Sequence, residues 1–209
     1  MKEIADIVRR IDEFLKIKDE IREEVIRKCR DIIRLSGYVI TKIHLRNFSE
    51  AKELLLDLRE MVRALNELLK DHPEIRYSGT VYSALSEYVE AEVFSAIISE
   101  GKVPSPEELN VHPVPYLQGL LDVVGELKRA SIEAVRERRL SDSWEYLRIA
   151  EEIMNSCKSL DYPDALIPSV RRKVDIARNI VESLRSFLTD MELRMELINK
   201  LRECKLRIS

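Results

Sequence analysis

The sequence has few residues that interrupt helices. Only 5 of its 209 residues are glycine and 7 are proline, and the glycines never cluster. A chain without a glycine-rich loop lacks the usual phosphate-binding turn of nucleotide-binding proteins. Leucine, isoleucine, glutamate, arginine and lysine are abundant instead, and no stretch alternates as a strand does. We therefore expect an all-α protein that folds as a single domain over residues 1–209.

Long apolar runs and paired cysteines are also missing. No run approaches the ~20 apolar residues of a membrane span, and the N-terminus lacks the apolar segment of a signal peptide. The three cysteines, Cys29, Cys157 and Cys204, are scattered without a CxxC pair, and the three histidines lack zinc-binding spacing. These absences favour a cytoplasmic protein with reduced thiols and no membrane partner.

Two pairs of acidic residues stand out among apolar neighbours. Glu87 and Glu90 are three residues apart, and Asp122 and Glu126 are four apart, so each pair shares one face of a helix. Carboxylates beside a buried face repel each other and lose solvation unless a cation compensates them. Their hard oxygen atoms suit Mg²⁺ or Mn²⁺, which predicts a metal site between two helices. The alternative is a solvated acidic face, which is common in a chain with 35% charged residues.

Helical periodicity predicts about seven helices. Ser49 or Asn47 predicts the cap of the helix that starts near residue 50. Gly101 predicts a helix end, Ser105 predicts the cap of a brief helical turn, and His112–Pro115 predicts a rigid extended link. Whether the first two segments form one helix or two is left open. The expected segments are approximately 1–18, 19–46, 50–70, 74–100, 116–138, 141–159, 164–187 and 188–206.

A basic stripe follows the second segment, and no acidic residue occurs between positions 32 and 49. A stripe of one sign can track a phosphate backbone, although the overall formal charge of −3 does not attract nucleic acid. The alternative is an exposed face paired with acidic residues of a neighbouring helix. The members of the stripe are Arg22, Arg27, Lys28, Arg30, Arg34, Lys42 and Arg46.

Two glycines, Gly119 and Gly125, lie inside the predicted helix that carries the second acidic pair. Glycine costs about 1 kcal/mol relative to alanine in a helix, so its presence needs a reason. Close packing of two helices is one reason, and room for a ligand beside the acidic pair is the other.

Taken together, these motifs resemble the translin/TRAX family, on the branch of translin-associated factor X. The resemblance spans nearly the whole chain, and the paired acidic motifs are its most specific part. The residues that carry it are Glu87-Tyr88-Val89-Glu90-Ala91, then Tyr116-Leu117-x-Gly119-x-x-Asp122-x-x-Gly125-Glu126-Leu127. An earlier segment, Ile21-Arg22-Glu23-Glu24-x-x-Arg27-Lys28, is similar to the start of translin's basic helix.

The resemblance implies a seven-helix subunit of a closed, hollow oligomer, typically an octamer, with nucleic acid inside. For the TRAX branch it implies Mg²⁺-dependent endonucleolytic cleavage of single-stranded RNA, with single-stranded DNA also bound. The family's catalytic, metal-binding carboxylates fall on Glu87, Glu90, Asp122 and Glu126.

The chain departs from translin just before the first acidic motif. Translin has a run of basic and histidine residues there, whereas this chain has Arg76-Tyr77-Ser78-Gly79-Thr80 and keeps one arginine. Arg76 is therefore a further candidate nucleic-acid contact outside the basic stripe. A chain with both the basic helix and the acidic motifs suggests a homo-oligomer. The alternative function is a non-catalytic single-strand-binding oligomer of the translin kind.

Overall fold

The computed structural model describes residues 2–206, which form eight α-helices and no strand. The prediction of an all-α protein is confirmed. Two of the helices, α3 and α5, are single turns. The helices are α1 (Lys2–His44), α2 (Phe48–Leu68), α3 (Pro73–Arg76), α4 (Gly79–Glu100), α5 (Pro106–Leu109), α6 (Pro113–Arg136), α7 (Leu140–Lys158) and α8 (Val170–Leu206).

The chain divides into two compact units, Met1–Gly119 and Leu120–Ser209, with the boundary inside α6. In the first unit α1 packs against α2 and α4, and α2 also packs against α4. Helix α4 has no distinct polar face, and 12 of its 22 residues are buried. A helix without a distinct polar face is expected to be buried on most of its sides. This burial also withdraws Glu90 and Glu92 from water.

Helix α1 is continuous, which answers the question that the sequence left open. Its second half packs into the first unit through Val25, Cys29, Ile32, Val39 and Ile43. Its first turns leave their apolar side uncovered in the isolated chain. Between 44% and 66% of each residue is exposed at Ile4, Ile7, Val8, Ile11, Phe14 and Leu15, which we call the N-terminal stripe.

The second unit is held by packing of α7 on α8 and by polar contacts of α6. Ser131 and Ser143 each donate a side-chain hydrogen bond to the other's backbone carbonyl, at 3.2 and 2.9 Å, which joins α6 to α7. The Lys128 ammonium donates to the Ser183 hydroxyl at 2.9 Å, which joins α6 to α8. These contacts fix the rotation of α6, and with it the direction of the second acidic pair.

Several local predictions are confirmed by the helix ends. The Asn47 side chain accepts a hydrogen bond from the backbone N–H of Glu50 and caps α2. Gly101 ends α4 in the left-handed conformation, with φ of 65°, which glycine adopts without strain. Ser105 and Glu108 form a complete capping box around α5.

The extended link over His112–Pro115 was a wrong prediction, because α6 already begins at Pro113. The first backbone N–H groups of a helix have no partner within it, so proline is well tolerated there. The N–H of Tyr116 donates to the carbonyl of His112 at 3.2 Å, which closes this first turn. The motif that resembles the family's second signature is therefore helical from its first residue.

Two other boundaries also differ from the prediction. The helix expected over 74–100 is interrupted at Tyr77 and Ser78, between α3 and α4. The helices expected over 164–187 and 188–206 form one helix, α8, which starts at Val170. Neither glycine nor proline occurs between residues 170 and 206, so nothing in that segment forces a break.

Two of the three cysteines, Cys29 and Cys157, are buried free thiols. Burial raises the pKa of each thiol to about 11. Cys204 lies outside the residues whose side chains are described. A helix that crosses a membrane needs a long apolar stretch, and none of the helices in residues 2–206 has one.

Candidate nucleic-acid and metal site

The first acidic pair lies in the middle of α4. Glu87 is half-buried, and Glu90, one turn later, is only 9% exposed. Val89 and Ala91, on either side of Glu90, are fully buried. A carboxylate in this setting has little water to solvate it, so its charge must be compensated by other groups. The prediction that this pair lies at a buried face is confirmed for Glu90.

Gly119 of α6 packs closely against α4 next to this acidic pair. A Cβ atom on Gly119 would stand 2.3 Å from the carbonyl oxygen of Ser86 and 2.8 Å from the Cβ of Val89. The packing explanation for this glycine is therefore confirmed. Gly125 is different, because no described atom lies within 4 Å of the position that its Cβ would take. Packing does not explain why the chain has glycine at that position.

The second acidic pair lies on α6, where both carboxylates are partly exposed. The Lys173 ammonium, in the first turn of α8, donates to both carboxylate oxygens of Asp122. The guanidinium of Arg129 lies 3.8 Å from the Glu126 carboxylate. Each acid of this pair thus has a cationic neighbour within its own unit.

The donor chemistry of these residues fits a magnesium ion. All four candidates provide carboxylate oxygens, and the ammonium against Asp122 shows that this position accepts a cation. Among the residues whose side chains the structure describes, however, no three His, Cys, Asp or Glu gather closely enough to hold a metal ion. The assignment of Glu87, Glu90, Asp122 and Glu126 as a metal-binding set therefore stays a prediction.

Another acid of α4, Glu92, has a structural partner instead. Its carboxylate is 3% exposed and accepts two hydrogen bonds from the Arg59 guanidinium of α2, at 2.6 and 2.7 Å. This bidentate pair raises the pKa of Arg59, and burial, followed by the Glu92 charge, raises the pKa of the neighbouring Tyr88 phenol. Sequence spacing alone does not separate this structural carboxylate from the candidate metal ligands.

The basic stripe on α1 divides into two groups. Arg27, Arg30 and Arg34 are spaced three and four residues apart and share one exposed face. Arg22 and Lys28 lie on other faces of the helix. The face with three arginines is the part of the stripe that could follow a phosphate backbone.

The ion pairs of the stripe are mostly within α1 itself. Arg22 contacts Glu23 at 3.0 Å, Arg34 contacts Asp31 at 2.7 Å, and Lys28 contacts Glu24 at 3.5 Å. Lys42, further along the stripe, instead lies 2.7 Å from Glu50 of α2, so pairing with an acidic residue of a neighbouring helix also occurs. Exposed pairs within one helix contribute little stability.

The remaining basic candidate, Arg76, is exposed at the end of α3 and belongs to a cluster with aromatic rings. The Tyr77 and Tyr82 rings lie 5.7 and 5.6 Å from the His112 ring, and Tyr82 Oη lies 3.3 Å from His112 Nδ1. Burial and then the Arg76 charge lower the pKa of His112. The sequence did not reveal this cluster, because it joins residues about 30 positions apart.

The solved structures that are similar to this chain include two of C3PO proteins. The crystal structure of apo-NeC3PO shares 25% identity with a TM-score of 0.78, and covers 87% of this chain and 95% of its own. The structure of AfC3PO with duplex RNA shares 26% identity with a TM-score of 0.82, and covers 90% and 97%. The similarity therefore extends over nearly the whole of each chain.

Sequence comparisons agree with the structural ones. The uncharacterized protein MJ0175 of Methanocaldococcus jannaschii is 32% identical over 190 residues, which are 88% of this chain and 84% of that protein. The model of the translin family matches residues 20–195, which include both acidic pairs and the whole basic stripe. The helical fold, the acidic motifs and this match lead to one conclusion: the chain belongs to the translin family.

Proposed function

We propose that this protein is a Mg²⁺-dependent endoribonuclease of the TRAX branch. It binds and cleaves single-stranded RNA, and also binds single-stranded DNA, inside a hollow homo-oligomer. The observation that carries the proposal is the position of the two acidic pairs in a translin-family chain. All four carboxylates are at least partly withdrawn from water, and Glu90 is nearly buried. A purely solvated acidic face would not show this burial.

In this proposal Glu87, Glu90, Asp122 and Glu126 hold one or two Mg²⁺ ions, for which Mn²⁺ can substitute. Bound Mg²⁺ supplies Lewis acidity, which activates water and offsets the charge that develops on the scissile phosphate. One of these carboxylates, if it is not fully engaged by the metal, accepts the proton of the attacking water. The low exposure of Glu90 excludes bulk water, which strengthens each electrostatic interaction at the site.

The proposed nucleic-acid contacts are the basic side chains of the first unit. AfC3PO has been determined with duplex RNA, which supports RNA as the class of ligand for this relative. Arginine and lysine contacts to phosphates position a strand without reading its sequence. We therefore expect little sequence preference. The contacting residues in this proposal are Arg22, Arg27, Lys28, Arg30, Arg34 and Arg76.

We propose that the oligomer consists of copies of this chain, with eight subunits as in the family pattern. The chain carries both the basic helix and the acidic motifs, so it does not require a second kind of subunit. The N-terminal stripe supports self-assembly, because soluble monomers rarely expose apolar patches of more than a few hundred Å². The free thiols Cys29 and Cys157 are in keeping with a cytoplasmic location.

The proposal is tested by cleavage of a 5′-labelled single-stranded RNA in Mg²⁺. Glu90→Gln and Asp122→Asn keep the size of each side chain and remove its charge, so we expect the rate to fall at least about 100-fold. Glu100→Gln is the matched control, because it makes the same change at an exposed position at the end of α4. Wild-type rates in both site variants would contradict the assignment.

The alternative is a non-catalytic oligomer that binds single strands. The ammonium of Lys173 at Asp122 favours it, since a carboxylate with an internal partner has less need of a metal. The same experiment separates the two functions. Retention of the labelled strand without product, in both Mg²⁺ and Mn²⁺, would establish the binding function.

A further inference from the structure

Lys173 contacts the second acidic pair from a different helix. It lies four positions into α8, and its ammonium contacts both oxygens of Asp122 on α6. About a quarter of each of the two side chains is exposed. Val170 and Val174, which flank Lys173 on α8, are buried and fix the base of its side chain.

The other cation of this pair is held differently. Arg129 lies 3.8 Å from Glu126, on the same helix, and its side chain is more than half exposed. Such a pair is loose, and solvent screens it. Lys173 comes from a different helix and is more deeply placed, so it is the stronger internal partner for a carboxylate of this pair.

A divalent ion at Asp122 would meet this ammonium directly. Both oxygens of Asp122 are already in contact with Lys173, so a metal ion must take at least one of them from it. Two positive charges next to one carboxylate also repel each other. Occupation of Asp122 by a metal therefore requires Lys173 to move or to weaken its contact.

We propose that Lys173 is an internal cation that competes with the divalent metal for Asp122 and thereby sets the metal affinity of the site. This inference rests on the proposed function, because it takes Asp122 as a metal ligand. Without a metal, the ammonium of Lys173 offsets the negative charge of Asp122. When a metal binds, that role passes to the metal.

Competition and simple structural support predict opposite effects of removing the ammonium. If Lys173 competes with the metal, its loss makes Asp122 more available and tightens metal binding. If Lys173 only holds Asp122 in place, its loss lets the carboxylate move and weakens metal binding. The sign of the change in affinity therefore decides between the two roles.

The experiment is a titration of the full chain with Mn²⁺, without RNA, in which electron paramagnetic resonance measures free Mn²⁺. Lys173→Met keeps most of the side-chain volume and removes the charge. We expect it to tighten Mn²⁺ binding at least about five-fold, the lower end of typical coupling between two ligands. Lys173→Arg should weaken binding, because a planar guanidinium holds both carboxylate oxygens more firmly.

Lys128→Met is the matched control. Lys128 also reaches from α6 to α8, but its partner is the neutral Ser183 hydroxyl. Its loss removes the same charge without touching Asp122, so we expect the Mn²⁺ affinity to change less than two-fold, within roughly 0.4 kcal/mol. A matching increase in Lys128→Met would attribute the effect to net charge alone and overturn the inference.

A second measurement is thermal unfolding with and without Mn²⁺. The increase in Tm on adding Mn²⁺ should be larger for Lys173→Met than for wild type, because tighter binding stabilises the folded state more. Equal or weaker Mn²⁺ binding by Lys173→Met, or tighter binding by Lys173→Arg, would overturn the inference. If wild type still binds Mn²⁺ and cleaves RNA, only the inference falls. If wild type binds no Mn²⁺, the proposed function falls with it.

Discussion

Replacing Gly119 by alanine tests the packing of α6 against α4 next to the first acidic pair. The added Cβ would stand 2.3 Å from the Ser86 carbonyl oxygen and 2.9 Å from Cγ1 of Val89. The first obstacle is helix backbone, which cannot rotate away as a flexible side chain can. The substitution therefore requires the start of α6 to move away from α4.

Two opposing contributions determine the size of the effect. Overpacking of a well-filled site costs typically 1–3 kcal/mol. Alanine regains about 1 kcal/mol of helix propensity relative to glycine. Because the contact is with backbone, we take the upper end of the first range and expect a net destabilisation of about 2 kcal/mol. For a chain of this length, that lowers Tm by roughly 4–8 °C.

Gly125→Ala provides a matched control on the same helix. No described atom lies within 4 Å of its added Cβ, so only the propensity gain remains. We expect a stabilisation of about 0.5–1 kcal/mol. Urea unfolding followed by circular dichroism, at one protein concentration, measures both variants. If Gly119→Ala were as stable as wild type, or if the two variants shifted in the same direction, the packing argument would be wrong.

Three further predictions concern the rest of the fold. Arg59→Met leaves the buried Glu92 carboxylate without its bidentate partner, and should reduce the free energy of unfolding by about 2–4 kcal/mol. A reduction below about 0.5 kcal/mol, measured by urea unfolding, would refute this prediction. Ile11→Glu, in the N-terminal stripe, should lower the oligomer mass measured by light scattering without loss of helical content; an unchanged mass would show that the stripe is not an interface. Because burial raises the pKa of Cys29 and Cys157 to about 11, both thiols stay protonated at pH 8. In a Cys204→Ser background, neither should react with a disulfide reagent until the protein unfolds, and fast reaction of the native protein would contradict their burial.

Most of the helical architecture could be predicted because its signals are local. Asn47, Gly101 and Ser105 each mark a helix end through their own conformational preferences, and the structure has each end there. The start of α6 was missed because two local rules conflict. Proline disfavours a helical residue before it, yet it fits the first turn of a helix, and the sequence does not show which rule prevails at Pro113.

The candidate site was only partly predictable for a different reason. The spacing of Asp122 and Glu126 places them on one helix face, which needs no tertiary information. The partners of the acids depend on packing between distant segments. Lys173 is 51 residues from Asp122, and Arg59 is 33 residues from Glu92. No periodic pattern links such positions, so the sequence indicated the carboxylates but not the cations that contact them.

The metal dependence of RNA cleavage decides whether the two acidic pairs form a nuclease site. Wild-type protein and Asp122→Asn are incubated with labelled single-stranded RNA in Mg²⁺, then in excess EDTA, then after Mg²⁺ is restored. We expect wild type to cleave the RNA in Mg²⁺, to stop in EDTA and to resume cleavage when Mg²⁺ is restored. Asp122→Asn should bind the strand but yield little product under all three conditions. Cleavage by Asp122→Asn at the wild-type rate, or wild-type cleavage that continues in EDTA, would contradict this expectation.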